Sequence, residues 1–304
     1  MEQKIYDSII IGAGPAGMTA AIYLGRANKT VALIDKEGFG GNIAKSPFVE
    51  NIPGFLKISG IDFATKMYKQ VLHLSTVTNV INTVIQFDYN YKNKLFEVRC
   101  ADQTIILGKT VIIATGTEHK TLHLPTKDIY YCATCDGAFF KGQPVLVVGS
   151  GNTGATYALE LAEYCSHVDI CDITQDLNCE ATLKAKILMN KKISWWPASS
   201  VSAVKTIDGK LASVALLQKD SSKEIDSKAI FAAIGMKPSS TYIFPYLLLD
   251  QQGFIIPANN SLATSTPGCF IAGDCVSKTV RQVTTAVNDG TISAHSVLDY
   301  LRNL

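Results

Sequence analysis

Tyr6-Asp7-Ser8-Ile9-Ile10-Ile11-Gly12-Ala13-Gly14-Pro15-Ala16-Gly17 is an apolar strand that runs straight into a GxGxxG turn, and Met18-Thr19-Ala20-Ala21-Ile22-Tyr23-Leu24 continues it as an Ala-rich helix. The same order returns later. Pro144-Val145-Leu146-Val147-Val148 leads into Gly149-Ser150-Gly151-Asn152-Thr153-Gly154 and then Ala155-Thr156-Tyr157-Ala158-Leu159. Each helix is followed by a second strand ending in an acid, Thr30 to Asp35 and His167 to Asp172, and both Gly12–Asp35 and Gly149–Asp172 span 23 positions. One GxGxxG is a weak signal, but two in a strand–turn–helix–strand context are a strong one. The first glycine makes the tight turn, and the second lets the backbone approach a pyrophosphate. The third lets helix and strand pack closely, and the terminal acid accepts hydrogen bonds from a ribose hydroxyl. Gly12, Gly14, Pro15, Ala16, Gly17 and Asp35 are thus candidate cofactor ligands, and Gly149, Gly151, Gly154 and Asp172 form a candidate second nucleotide site.

Outward from these turns, Val111-Ile112-Ile113-Ala114-Thr115-Gly116 and Ala229 to Gly235 resemble each other as strands leaving a nucleotide-binding domain. Gly268 to Asp274 reads as a short strand ending in Gly-Asp, and Gln282 to Leu301 as one amphipathic helix. Leu95–Cys100 and Thr104–Leu107 read as strands of a meander. The expected plan is α/β: two Rossmann-like three-layer domains, the first split into 1–116 and 247–304, the second inserted at 117–246. A chain of 304 residues suits two such domains. With 28 Lys+Arg against 26 Asp+Glu and no basic cluster, the chain does not read as a nucleic-acid binder. The uncharged run Ser8–Gly25 contains Pro15 and four glycines, so a strand, a turn and a helix explain it better than a membrane span. No secretory signal is read in Met1–Asp7, so the expected compartment is the reducing cytoplasm, where a close cysteine pair is catalytic or metal-binding rather than structural.

Such a pair stands just before the second turn, in Cys132-Ala133-Thr134-Cys135-Asp136-Gly137. Two cysteines at this spacing can close a small ring and reopen it, and a thiolate at a helix start is stabilised there. Asp136 can move the proton that thiol–disulfide exchange requires. A zinc site is the competing reading. It needs four ligands, and only His119 and His123 lie near in sequence. Cys100, Cys165, Cys171, Cys179, Cys269 and Cys275 are scattered singly and read as small core residues.

These motifs together resemble the low-molecular-weight thioredoxin reductases over nearly the whole chain. The first glycine turn is similar to that family's FAD pyrophosphate turn. Gly40-Gly41-Asn42 and Val49-Glu50-Asn51-Ile52-Pro53-Gly54 resemble its flavin-contacting loop, and Cys132 to Gly137 matches its redox centre. Gly273-Asp274, followed by Arg281-Gln282-Val283, resembles its last FAD motif. The resemblance implies the class II pyridine nucleotide-disulfide oxidoreductase fold and a cytoplasmic homodimeric flavoenzyme. In it, FAD is held by the residues above together with Ala114, Thr115 and Gly116. It also implies that electrons pass from FAD to a Cys132–Cys135 disulfide and on to a thioredoxin-like protein, with Cys132 facing the substrate, Cys135 facing the flavin and Asp136 as proton donor.

The departures from the family lie at the second turn. Its usual acidic pair is Thr156-Tyr157 here, and the His-Arg-Arg-x-x-x-Arg segment that clamps the NADPH 2′-phosphate is Asp172-Ile173-Thr174-Gln175-Asp176-Leu177-Asn178. A carboxylate about 4 Å from a phosphate is repelled by roughly 4 kcal/mol per unit charge product at an effective dielectric near 20. That is about three decades of affinity, so NADPH is not expected as donor. Two expectations follow: NADH held by Asp172, or a pocket filled by Tyr157 and electrons arriving from a ferredoxin or flavodoxin. The competing function is an FAD-dependent dithiol oxidase that uses oxygen.

Overall fold

In the computed structural model, which describes residues 4–46, 48–219, 221–239 and 247–304, Ile9, Ile10 and Ile11 are all buried although they alternate between the two faces of the strand Ile5–Ile11. A strand covered on both faces demands such a continuous β-branched run. Among the described residues six α-helices flank the sheets: α1 (Pro15–Arg26), α2 (Gly60–Leu72), α3 (Ala133–Asp136), α4 (Asn152–Tyr164), α5 (Ala181–Met189) and α6 (Val283–Arg302).

The chain forms two units, Met1–Glu118 with Lys237–Leu304, and His119–Met236. In the first, Val77–Ile81, Val31–Asp35, Ile5–Ile11 and Ile105–Ile113 lie side by side and parallel. The antiparallel strands Leu95–Cys100 and Val84–Asn90 extend that sheet. The strand expected to start at Thr104 and the one expected at Val111 are a single strand, Ile105–Ile113. Its first half pairs with Leu95–Cys100 and its end with Cys269–Ile271. The chain stays extended through Gly108, where a Cβ would come within 2.7 Å of the Ile9 side chain. Helices α1 and α6 pack together, and a Cβ on Gly290 would stand 2.3 Å from the Ala16 carbonyl oxygen. Two layers of core, one on each face of the sheet, hold the unit together.

The second unit has a parallel sheet in the order Ile193–Trp196, His167–Cys171, Pro144–Val148, Ile230–Ala232, Ile129–Tyr130. A separate antiparallel sheet, Ser199–Ile207, Lys210–Gln218 and Ser221–Asp226, was not anticipated. The units divide at Glu118/His119 and Met236/Lys237 rather than at 116/117 and 246/247. Local bonding sets the first unit's edges: Lys237 pairs with Glu118 at 3.2 Å, and the Ser239 N–H reaches the Gly116 carbonyl at 3.0 Å. Positions 240–246 lie outside the described residues. Among the described residues no helix is long and apolar enough to cross a membrane.

Candidate active site: two glycine turns and a vicinal disulfide

Gly12 has φ +106°, and a Cβ there would sit 2.2 Å from the Ala114 carbonyl oxygen. Glycine is required on both counts. Gly17 lies against the Gly12 carbonyl, its would-be Cβ 1.8 Å away, so α1 rides directly over the turn. A Cβ on Gly14 would meet nothing within 4 Å, and no side chain caps α1, which Pro15 begins. Backbone N–H groups at an uncapped helix start favour an anion. Asp35 ties the turn to the strand end: one oxygen accepts the Ala13 N–H at 2.8 Å, the other the Glu37 and Gly38 N–H groups at 2.8 and 3.1 Å. A carboxylate has about four acceptor positions, which leaves room for a sugar hydroxyl.

The remaining predicted flavin residues are gathered in the same unit. Gly40 donates its N–H to the Ala13 carbonyl at 2.8 Å, and Gly41 lies against Gly14. The Asn42 amide donates to the Thr117 carbonyl at 2.8 Å, and Ala114 bonds the Ile11 carbonyl just before Thr115 and the left-handed Gly116. Asn51 and Gln282, far apart in sequence, meet at 3.1 Å, and Gln282 caps α6, whose first residue is Val283. Gly273 donates its N–H to Asp289 at 3.1 Å, and Lys278 reaches the same carboxylate at 2.6 Å. Lys278 and Asp289 carried no motif and were missed in the sequence. Arg281 is spent on its own loop: it donates to the Asp274 and Val276 carbonyls, both at 3.1 Å, with its guanidinium 3.7 Å from the Phe254 ring centre. Asp274 is half-buried, and its Oδ1, itself buried, has no protein partner. Burial pushes its pKa up against the pull of Lys278 and Arg281. An orphaned buried oxygen is expensive unless a ligand hydroxyl meets it. The open cradle at Gly14 and this oxygen fit the pyrophosphate and the polyol chain of FAD.

The second turn repeats the backbone of the first. Gly149 has φ +110° with its would-be Cβ 2.3 Å from the Ala233 carbonyl oxygen, and that of Gly154 is 1.9 Å from the Gly149 oxygen. Gly151 starts α4 without a side-chain cap. The side chains differ. Asp172 accepts both the N–H and the hydroxyl of Ser150 at 2.7 Å, and the Thr174 N–H at 3.2 Å. Burial alone would raise its pKa, but these bonds hold it below the ordinary carboxylate value. Tyr157, expected to fill the second pocket, donates its hydroxyl to the Tyr131 carbonyl at 2.6 Å. A tyrosine at that point of α4 faces the redox segment, where its ring joins the unit's core.

Cys132 and Cys135 form a disulfide, with Cα atoms 5.3 Å apart. Cys132 is the N-cap of α3, and its sulfur accepts the Cys135 N–H at 3.1 Å. Cys135 is exposed and Cys132 half-buried, with Asp136 half-buried beside them. Among the described residues no group of three or more His, Cys, Asp or Glu could hold a metal. The other six cysteines are free thiols, five buried and Cys179 half-buried.

Comparison with known proteins agrees with this arrangement. The thioredoxin reductase of Bacillus subtilis is 35% identical over 313 residues, covering 100% of this chain and 97% of that protein. That of Mycoplasma genitalium is 36% identical, covering 98% and 96%. The crystal structure of Lactococcus lactis thioredoxin reductase superposes with a TM-score of 0.93 at 31% identity, covering 98% of this chain and 100% of that one. A family model described as pyridine nucleotide-disulphide oxidoreductase matches residues 6–290. The chain therefore belongs to the pyridine nucleotide-disulphide oxidoreductases, in their low-molecular-weight thioredoxin reductase family, and is a redox enzyme of disulfide and thiol groups.

Proposed function

We propose that the protein is an FAD-dependent disulfide reductase that delivers electrons through Cys132 and Cys135 to a thioredoxin-like protein and receives them from a ferredoxin or flavodoxin rather than from NADPH. The observation that carries the reading is the vicinal disulfide at the start of α3 in a chain whose other unit presents an open dinucleotide turn. The Gly12–Gly17 turn, Asp35 and Asp274 would hold FAD, which would supply a two-electron carrier. The chain's own chemistry is thiol exchange. Two electrons and two protons convert the Cys132–Cys135 disulfide to two thiols. The Cys132 thiolate attacks a sulfur of the substrate disulfide and displaces one substrate thiolate. Cys135 then attacks Cys132, reforms the protein disulfide and releases the second substrate thiolate, and Asp136 supplies a proton to a leaving sulfur.

Two features weigh against NADPH. No arginine stands in 172–178 to hold a 2′-phosphate. Asp172 is kept ionised by its bonds to Ser150 and Thr174, so it would repel that phosphate. The family further suggests a homodimer, and the free thiols suit a reducing cytoplasm.

The test is anaerobic reduction of the purified flavoprotein by NADH, NADPH and reduced ferredoxin side by side. Only ferredoxin should bleach the flavin within seconds. Rapid bleaching by a micromolar pyridine nucleotide would overturn the donor assignment. Oxygen uptake with a small dithiol, in the absence of thioredoxin reduction, would make the protein a dithiol oxidase instead.

A further inference from the structure

Helix α4 lays three polar side chains along the redox segment. Tyr157 donates to the Tyr131 carbonyl at 2.6 Å, and Glu160 accepts the Thr134 hydroxyl at 3.0 Å. The Tyr164 hydroxyl lies 2.2 Å from where a Cβ on Gly137 would stand. Positions 157, 160 and 164 share one helical face. They meet positions 131, 134 and 137 in order, so the turn bearing both cysteines is bound to α4 residue by residue. Two of the three contacts fix backbone only. The middle one brings a carboxylate to the hydroxyl of Thr134, which lies between the cysteines in sequence.

We propose that Glu160 is a positioning residue of the Cys132–Cys135 couple: through Thr134 it holds the redox turn and sets how readily the paired thiols ionise. The inference rests on the reading of this pair as the exchanging couple. Glu160 is half-buried and forms no ion pair with a described residue. The titratable groups that interact with it are Tyr157, Glu163 and Tyr164 on its own helix. Burial pushes the Glu160 pKa up, Thr134 pulls it down and the Glu163 charge adds to the rise. A negative charge beside a thiol disfavours the thiolate. Glu160 therefore restrains the couple, and the restraint weakens as the carboxyl takes up a proton.

The experiment measures iodoacetamide alkylation of Cys132 and Cys135 against pH, by mass spectrometry of the full-length flavoprotein. The protein is reduced anaerobically with dithiothreitol and desalted. Glu160→Gln should move the alkylation profile to lower pH and raise the rate at pH 7 about threefold to tenfold. Thr134→Val cuts the hydrogen bond but keeps the charge, and should give a smaller shift of the same sign. It also serves if Glu160→Gln folds poorly. Glu163→Gln, exposed on the same helix, should change the rate less than about twofold. Superimposable profiles for wild type and Glu160→Gln, or an equal shift in Glu163→Gln, would overturn the proposal. The profile needs neither substrate protein nor electron donor. Wild-type failure to reduce a thioredoxin would refute the function, whereas an unmoved profile refutes only the role of Glu160.

Discussion

The two glycine turns have nearly one backbone and different side-chain bonding. Gly12 and Gly149 share a φ within a few degrees and approach equivalent carbonyl oxygens at nearly the same distance. Each strand-end aspartate accepts the N–H that follows the first glycine, from Ala13 to Asp35 and from Ser150 to Asp172. The difference is what each aspartate does with its other acceptor positions. Asp35 binds only backbone N–H groups, whereas Asp172 also binds the Ser150 hydroxyl. Glycines in such a turn thus report backbone packing, and ligand binding is decided by the side chains around it.

The hardest blow to the comparison is a methyl group at its most constrained point. Gly12→Ala and Gly149→Ala should each cost about 2–4 kcal/mol in their own unit, from left-handed strain plus a clash with backbone. Thermal unfolding and flavin absorbance per chain separate them: Gly12→Ala should release FAD, and Gly149→Ala should keep it. Retention of full flavin by Gly12→Ala would break the parallel.

A milder pair sharpens it. Gly14 and Gly151 both have ordinary φ and room for a methyl. Gly14→Ala should weaken FAD binding about tenfold with unfolding little changed, because the methyl stands where a pyrophosphate approaches. Gly151→Ala should leave ferredoxin-driven turnover unchanged. A clear loss there would show that the second turn carries a ligand after all.

The smallest effect is in the acid limb. Asp172 has a folded pKa below its ordinary value of 3.8, so its contribution to stability is present above about pH 4 and is lost as pH falls through the folded value. Asp172→Asn should destabilise the inserted unit by about 1 kcal/mol at pH 7. The deficit should shrink below pH 3.8, read as converging denaturation midpoints. A deficit independent of pH would mean that the charge of Asp172 contributes nothing.

Much of this was legible because it is local. A strand feeding a glycine turn, an acid a fixed distance on, and a CxxC before a second turn each lie within a few dozen residues. What sequence periodicity could not supply was pairing across distance. Ile105–Ile113 runs unbroken through Gly108, and the Ile9 side chain packed on it explains why a glycine sits inside a strand. The two outer strands of the Ser199–Asp226 sheet are largely exposed, and their alternation is weak. Tyr157 was placed by its motif position, yet its hydroxyl follows the helix face toward Tyr131. Glu160 carried no signal at all, since nothing in a helix sequence tells which loop lies beside one carboxylate.

The contact between Gly290 and Ala16 has a temporal meaning. Helix α6, synthesised after the inserted unit, closes over the start of α1, synthesised before it. The inserted unit is complete by Met236 and can fold before α6 has been made. The first unit has to wait, half-built, until that helix emerges.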